Sequence, residues 1–297
     1  MLTGLLLSIA TPLPVVTPLL QHGIERPDGT TITYWLEDED HQQAEAILVM
    51  QGTGCEPVST KPNLRHAARL LRPHARALLI DKVGVGSDAS GPPIEGCPQS
   101  YWDRYTLSNR VDDCLRVIAN LRSQRWWNGR IILFGGSEGG AVAALLAPLV
   151  PETTAVIVLS SAIGAPVGDV IRSTVPPEMA AQASNVFAAA HAQPTGANRW
   201  AGLSYRWWDD AVATVPVRSL AQSPAPILLI HGALDQSSPV PIARVGYERL
   251  KRAGEINVVY REFPDYDHFM RGADGREHMD EVLADAGQWI EDATSRK

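Results

Sequence analysis

Ile131-Ile-Leu-Phe134-Gly135-Gly-Ser137-Glu-Gly139-Gly140-Ala141-Val-Ala-Ala-Leu-Leu146 is the stretch that decides the fold. Its first four residues are too few for a helix and lack polar alternation, so they read as a strand covered on both faces. Ala141 to Leu146 reads as a buried helix. Between them lies Gly-x-Ser-x-Gly, the sequence of a sharp turn from strand to helix. In such a turn the serine backbone is strained, and side chains two positions to either side would strike neighbouring elements. Gly135 and Gly139 remove those clashes. The turn aims the Ser137 hydroxyl beyond the sheet, where the positive end of the following helix favours a developing anion.

The same rhythm extends outward in both directions. Ala46-Ile-Leu-Val-Met50, Ala77-Leu-Leu-Ile80, Arg130-Ile-Ile-Leu-Phe134, Ala155-Val-Ile-Val-Leu159, Ile227-Leu-Leu-Ile230 and Asn257-Val-Val-Tyr260 read as parallel strands. The segments 64–71, 107–121, 138–146, 241–251 and 277–290 carry apolar residues at helical spacing and form the crossovers. Thr31-Ile-Thr-Tyr-Trp35, after the Pro27-Asp-Gly29 turn, reads as an antiparallel edge strand paired with residues 15–21. The alternation breaks once, between about residues 163 and 226, where an Ala-rich helix precedes the aromatic stretch Trp200 to Trp208. An insertion of that length above strand ends reads as a helical lid between the sixth and seventh strands. The expected organisation is a core of residues 1–162 and 223–297, with 163–222 as the lid.

A serine hydroxyl is a poor nucleophile at neutral pH, so it needs a base, and the base needs an orienting acid. Asp235 follows the strand Ile227 to Ile230 in His231-Gly-Ala-Leu-Asp235, and His268 follows the next strand in Phe263-Pro-Asp-Tyr-Asp-His268. Each stands one loop from the sheet end to which Ser137 points. Of the other histidines, His22, His41, His66, His74 and His191 fall early in the chain, in helices or in the insertion. His231 ends a strand and holds the Asp235 loop; His278, at the start of the last helix, is the rival to His268. Asp265 and Asp267 stand too close in sequence to His268 to reach the far nitrogen of its ring. Backbone donors for an oxyanion are expected at the amide of Glu138, next to the nucleophile, and at Thr53, flanked by glycines in Gln51-Gly-Thr-Gly-Cys55.

Taken together, Gly135 to Gly139, Gln51 to Gly54, Asp81-Lys-Val-Gly-Val-Gly-Ser87, Gly232 to Asp235 and Asp267-His268 resemble the α/β-hydrolase superfamily, over nearly the whole chain except the insertion. That resemblance implies a mostly parallel central sheet flanked by helices and a serine hydrolase with the triad Ser137, Asp235 and His268. Gln51 stands where many members have His, and Lys82 where many have Gln or Arg. A serine nucleophile, rather than an aspartate, argues against the dehalogenase and epoxide-hydrolase branches. The leading expectation is a carboxylic ester hydrolase for a small or medium apolar acyl group, with Trp200, Trp207 and Trp208 lining the pocket. The alternative is an amidase or aminopeptidase, with Glu138, Asp209 or Asp210 holding a substrate amine. A further alternative is a non-catalytic binder on the same fold.

Composition bounds the partners. The chain has 297 residues, 45% hydrophobic and 20% charged, close to the globular average. Lys and Arg number 26 against 33 Asp and Glu, so no basic stripe is available for a phosphate backbone, and nucleic acid is not expected. The expected partner is a small-molecule ester, with no cofactor. Three cysteines make no disulfide scaffold, and none is spaced for a metal. Cys55 and Cys97 fall in loops on one edge of adjacent strands and could be bridged, whereas Cys114 reads as a buried thiol; three free thiols in a cytoplasmic enzyme is the other reading. A bridge would favour an exported protein. The apolar run at residues 1–10 has no preceding Lys or Arg and is a weak leader signal, and no stretch is long enough to span a membrane.

Overall fold

The computed structural model describes residues 18–37, 42–85, 96–254 and 257–295. The apolar start at residues 1–10, His41, residues 86 and 87 of the Asp81 motif and most of the loop before Cys97 lie outside them.

The chain opens with a hairpin. Strands β1 (Leu19–Glu25) and β2 (Thr31–Glu37) pair antiparallel, with Glu25 opposite Thr31. The strand expected at residues 15–21 is therefore displaced toward the turn, and residues 15–17 lie outside the described residues. The turn is the physical reason. Arg26 N–H donates to Thr30 O at 2.7 Å and Gly29 takes φ +79°, so pairing starts immediately at the turn and runs back from it. The edge is β1, and β2 is internal.

There follow β3 (Ala44–Met50), α1 (Pro62–Leu71), β4 (Arg76–Ile80), α2 (Gln99–Arg104), α3 (Leu107–Leu121), β5 (Trp127–Gly136), α4 (Glu138–Leu146) and β6 (Thr153–Leu159). The segment between β6 and the next core strand holds α5 (Val167–Arg172), α6 (Pro177–Ala192), a two-residue hairpin β7 (Arg199–Trp200) and β8 (Leu203–Ser204), α7 (Tyr205–Ala211) and α8 (Pro216–Leu220). Ala201 and Gly202, both at positive φ, make the tight turn of that hairpin. The core resumes with β9 (Ile227–Gly232), α9 (Val240–Arg252), β10 (Val258–Phe263) and α10 (Met279–Thr294).

The large sheet runs β1-β2-β4-β3-β5-β6-β9-β10, parallel from β4 to β10. Alternate residues of each inner strand feed two separate cores. Ala46, Leu48, Ile131 and Leu133 face the side that contains residues of α3, α4 and α9, while Ile47, Val49, Ile132 and Phe134 face the side of α1 and α10. Both strand faces are therefore apolar, which is why these strands show no polar alternation. The insertion packs on the first side, with α8 against α4 and α7 against α3. This is the α/β-hydrolase fold, and it brings the ends of β3, β5, β9 and β10 to one edge.

Candidate active site

At the end of β5 the backbone turns through Ser137 at φ +54° and ψ −124°, and α4 begins at Glu138. Ser137 N–H donates to Leu159 O at 2.9 Å, which ties the turn to the end of β6. A methyl group on Gly135 would lie 2.0 Å from Gly139 O, and one on Gly139 would lie 2.1 Å from Met50 O. Only glycine allows strand β5, the start of α4 and the end of β3 to approach this closely. The strained serine is held by backbone on both sides.

The loops after β9 and β10 are joined to each other. Ala233 N–H donates to Phe263 O at 2.8 Å and Leu234 N–H to Tyr266 O at 2.9 Å, and a methyl on Gly232 would strike Tyr266 O at 2.3 Å. This contact carries Asp235 to His268, whose Nδ1 stands 2.8 Å from Asp235 Oδ2. The other carboxylate oxygen, Oδ1, accepts from Ser237 N–H and Ser238 N–H, both at 2.8 Å. His231 Nε2 faces two acceptors, Ser238 O at 2.8 Å and Asp235 Oδ2 at 3.1 Å, so that nitrogen carries its proton. Burial alone would raise the Asp235 carboxyl; the hydrogen bonds from His231 and His268, and those from the loop amides, overcome it and hold the group well below the usual carboxylate range. An ionised Asp235 fixes the proton of His268 on Nδ1 and leaves Nε2 free to act as a base.

Ser137 and His268 line a common cavity of about 600 Å³, with Gly52, Asn63, Leu64, Phe134, Ser160, Phe269 and Met279 among its walls. Ser137 also lines a second cavity, of about 150 Å³, on the side of the insertion. That one is walled by Thr53, Glu138, Ala141, Val167, Val170, Ile171, Leu203, Trp207 and Pro216, without His268. Ser137 stands between the two. His278, the rival base, stacks on Tyr266 at 4.6 Å and pairs with Glu281, and it lines neither cavity. Asp267 accepts the amides of Phe269 and Arg271 and so shapes the His268 loop, while Asp265 is exposed.

Of the three tryptophans, Trp207 lines the smaller cavity and also meets the Trp208 ring edge to face, with centroids 5.0 Å apart. Trp200 and Trp208 pack with Phe187 in a cluster of rings 4.9 to 5.6 Å apart, and Trp208 Nε1 donates to Trp200 O. The carboxylates considered for an amine are engaged elsewhere: Asp209 pairs with His191, and Asp210 accepts the Ser108 amide at the start of α3. Glu138 is turned into the protein, with 6% of its side chain exposed. Its Oε1 accepts from Lys82 Nζ at 2.8 Å, from Arg110 at 3.2 Å and from the Tyr105 hydroxyl. Burial would raise Glu138, but the charges of Lys82 and Arg110 hold it below the usual range; burial pushes the Lys82 ammonium down to about 7 against the pull of Glu138. Sequence reading missed this cluster, although Lys82 had stood out as a departure from the family pattern.

Cys55 and Cys97 are joined by a disulfide, with Cα atoms 5.5 Å apart, and Cys114 is a buried thiol. Among the described residues no group of His, Cys, Asp and Glu is placed to hold a metal ion, and no helix is long and apolar enough to cross a membrane.

The fold and the serine turn define a member of the α/β-hydrolase class. More narrowly, residues 100–296 match the prolyl oligopeptidase family, and the chain belongs to it. It is a serine hydrolase. No curated protein matches the chain. Among solved structures it is similar to Est1E from Butyrivibrio proteoclasticus, at 15% identity over 93% of this chain and 99% of that one, with a TM-score of 0.61. An esterase of Pyrococcus furiosus is similar at 15% identity over 98% and 96%, with a TM-score of 0.62. A puromycin-hydrolyzing peptidase of Mycobacterium tuberculosis is similar at 13% identity over 96% of this chain but 41% of that one, with a TM-score of 0.64. These identities carry the fold alone.

Proposed function

We propose that the protein hydrolyses carboxylic esters with a small apolar acyl group through an acyl-enzyme on Ser137. Ser137 attacks the carbonyl carbon, His268 Nε2 takes the hydroxyl proton, and Asp235 holds the imidazole and stabilises its charged form. The carbonyl oxygen, now an anion, is received by the amides of Glu138 and Thr53. His268 then gives the proton to the departing alkoxide, and water, activated by the same ring, releases the acid.

The observation that carries the substrate side of this reading is the pair of unequal cavities flanking Ser137. His268 must reach the leaving oxygen, so the alcohol belongs in the larger cavity that His268 lines. The acyl group then falls in the smaller one, roofed by the insertion 163–222 acting as a lid, with Trp207 as part of its wall. A volume of about 150 Å³ suits a short chain rather than a lipid acyl group. Asp209 and Asp210 are each engaged within the protein, which supports a neutral acyl group over an aminoacyl one; Glu138, which borders the smaller cavity, is held through Oε1 alone, and its buried Oε2 has no hydrogen-bond partner.

The second reading, cleavage of an amide or peptide bond by the same residues, is supported by membership of the prolyl oligopeptidase family. Turnover of p-nitrophenyl acetate and butyrate, compared with aminoacyl and N-acyl-aminoacyl anilides, separates the two. Ester turnover exceeding anilide turnover by more than the intrinsic reactivity difference supports the first, and the reverse supports the second. Fluorophosphonate labelling of wild type but not Ser137→Ala tests the nucleophile itself.

A further inference from the structure

We infer that the buried cluster of Lys82, Arg110 and Glu138 is a clamp that orients the backbone of the 51–53 loop, and so sets the oxyanion donor at Thr53; this rests on the acyl-transfer reading above. Lys82 Nζ, whose side chain is fully buried, donates to Gly52 O at 2.7 Å and to Glu138 at 2.8 Å. Arg110, also buried, donates to Gln51 O at 2.7 Å and to the same carboxylate oxygen of Glu138 at 3.2 Å. Two successive carbonyls of one loop are thus held by two cations, and both cations are held by one anion. That anion belongs to the residue next to the nucleophile.

The consequence follows from peptide geometry. In a trans peptide the carbonyl of one residue and the N–H of the next point in opposite directions, and no cis bond occurs among the described residues. With Gly52 O drawn inward to Lys82, the Thr53 N–H points outward, where Thr53 and Ser137 line the same cavity. Gly52 lies against the nucleophile, since a methyl on it would stand 3.3 Å from Ser137 Cβ. A glycine-flanked loop has little intrinsic preference for this orientation. Lys82 supplies the preference, and through Glu138 it registers the loop to the turn that provides the other donor. Neutral or charged, the Lys82 amine donates to Gly52 O, so the clamp does not require a particular protonation state.

Lys82 and Arg110 are on this argument positioning residues, and the cluster's charge balance makes the test practicable. It holds two cations and one carboxylate, so Lys82→Met leaves an Arg110–Glu138 pair and Arg110→Met leaves a Lys82–Glu138 pair, neither with an unpaired charge. The experiment measures backbone ¹⁵N order parameters of residues 51–54 together with steady-state ester kinetics, in both variants and in Lys82→Arg. Order parameters at Gly52 and Thr53 are expected to fall in Lys82→Met and in Arg110→Met. In Lys82→Met kcat should fall on the order of 10²-fold, the scale of one oxyanion donor, with KM within about threefold of wild type. Lys82→Arg, which keeps the donor, should recover at least about tenfold of that loss. Unchanged order parameters in either folded variant overturn the clamp whatever the activity. Lowered order parameters with kcat intact overturn the Thr53 donor and, with it, the catalytic value of the clamp. Loss of fluorophosphonate labelling in wild type would instead strike the nucleophile assignment, and the order parameters would still judge the loop.

Discussion

Ser137→Ala should lower ester turnover by about 10⁴- to 10⁶-fold while leaving the melting temperature unchanged, and His268→Ala should do nearly as much. Retention of a tenth of the rate would exclude Ser137 as the nucleophile. Asp235 offers a second test, through pH. Its carboxyl is held below the ordinary range in the folded protein, so its contribution to stability is complete above an unfolded-state value of about 4 and is lost as the pH falls toward the folded value. Urea midpoints measured from pH 6 down to pH 3 should therefore fall more steeply in wild type than in Asp235→Asn; parallel curves would contradict the assignment. That the fold brings Asp235 to His268 was legible in the sequence because Ser137, Asp235 and His268 each follow a strand end closely; Gly135, Gly139 and Gly232 mark the first two, and His268 has no such neighbour. The Lys82–Glu138–Arg110 cluster was not. Its members are brought together by the fold from separate elements, and one buried cation leaves no periodic trace.

Among elements, the strand and helix pattern was read almost to the residue where both ends are marked: α3 and α4 occupy the expected ranges of 107–121 and 138–146. The β1 register escaped, because a one-sided edge strand alternates weakly and its position is set by the turn, not by its own composition. The serine turn makes a sharper element-level prediction. Gly139→Ala places a methyl 2.1 Å from the Met50 carbonyl, between two backbones that cannot yield independently. Loss of more than about 2 kcal/mol of stability is expected, with loss of activity even in the folded fraction. A urea titration decides it, and a variant as stable as wild type would show that β3 and α4 are less constrained than their approach implies. The Cys55–Cys97 bridge closes a separation of 42 residues and fastens the 51–55 loop to the segment preceding α2. Cys97→Ser should cost about 4 kcal/mol in the chain-entropy account, and thiol counting on denatured, unreduced wild type should find one reactive group.

At the scale of the whole molecule, the insertion and the core meet at Ser137, and the three tryptophans of the insertion test what that meeting does. Trp207 is 2% exposed and lines the smaller cavity, whereas Trp208 is fully buried in the Phe187 cluster and lines neither cavity beside Ser137. Composition singled out all three rings but could not separate wall from anchor, because that depends on where the fold sets Trp200, in β7, and on which side of the seven-residue α7 Trp207 and Trp208 each face. Trp207 and Trp208 start about 100° apart around α7, and their rings still meet edge to face, with centroids 5.0 Å apart. Trp207→Ala should enlarge the acyl cavity and move the optimum of kcat/KM toward longer chains in a C2 to C8 ester series, by about tenfold in the ratio of octanoate to acetate. Trp208→Ala should leave that ratio within about twofold and instead lower stability by about 3 to 5 kcal/mol, the usual cost of emptying a buried tryptophan site. Trp200→Ala, at the edge of the same cluster, should behave as a milder anchor. If Trp207→Ala lowered all rates equally, the insertion would be a structural cover, and chain-length selection would have to be sought in the larger cavity beside His268. A changed ratio in Trp208→Ala as well would mean that the aromatic cluster moves as one body and that wall and anchor are not separable.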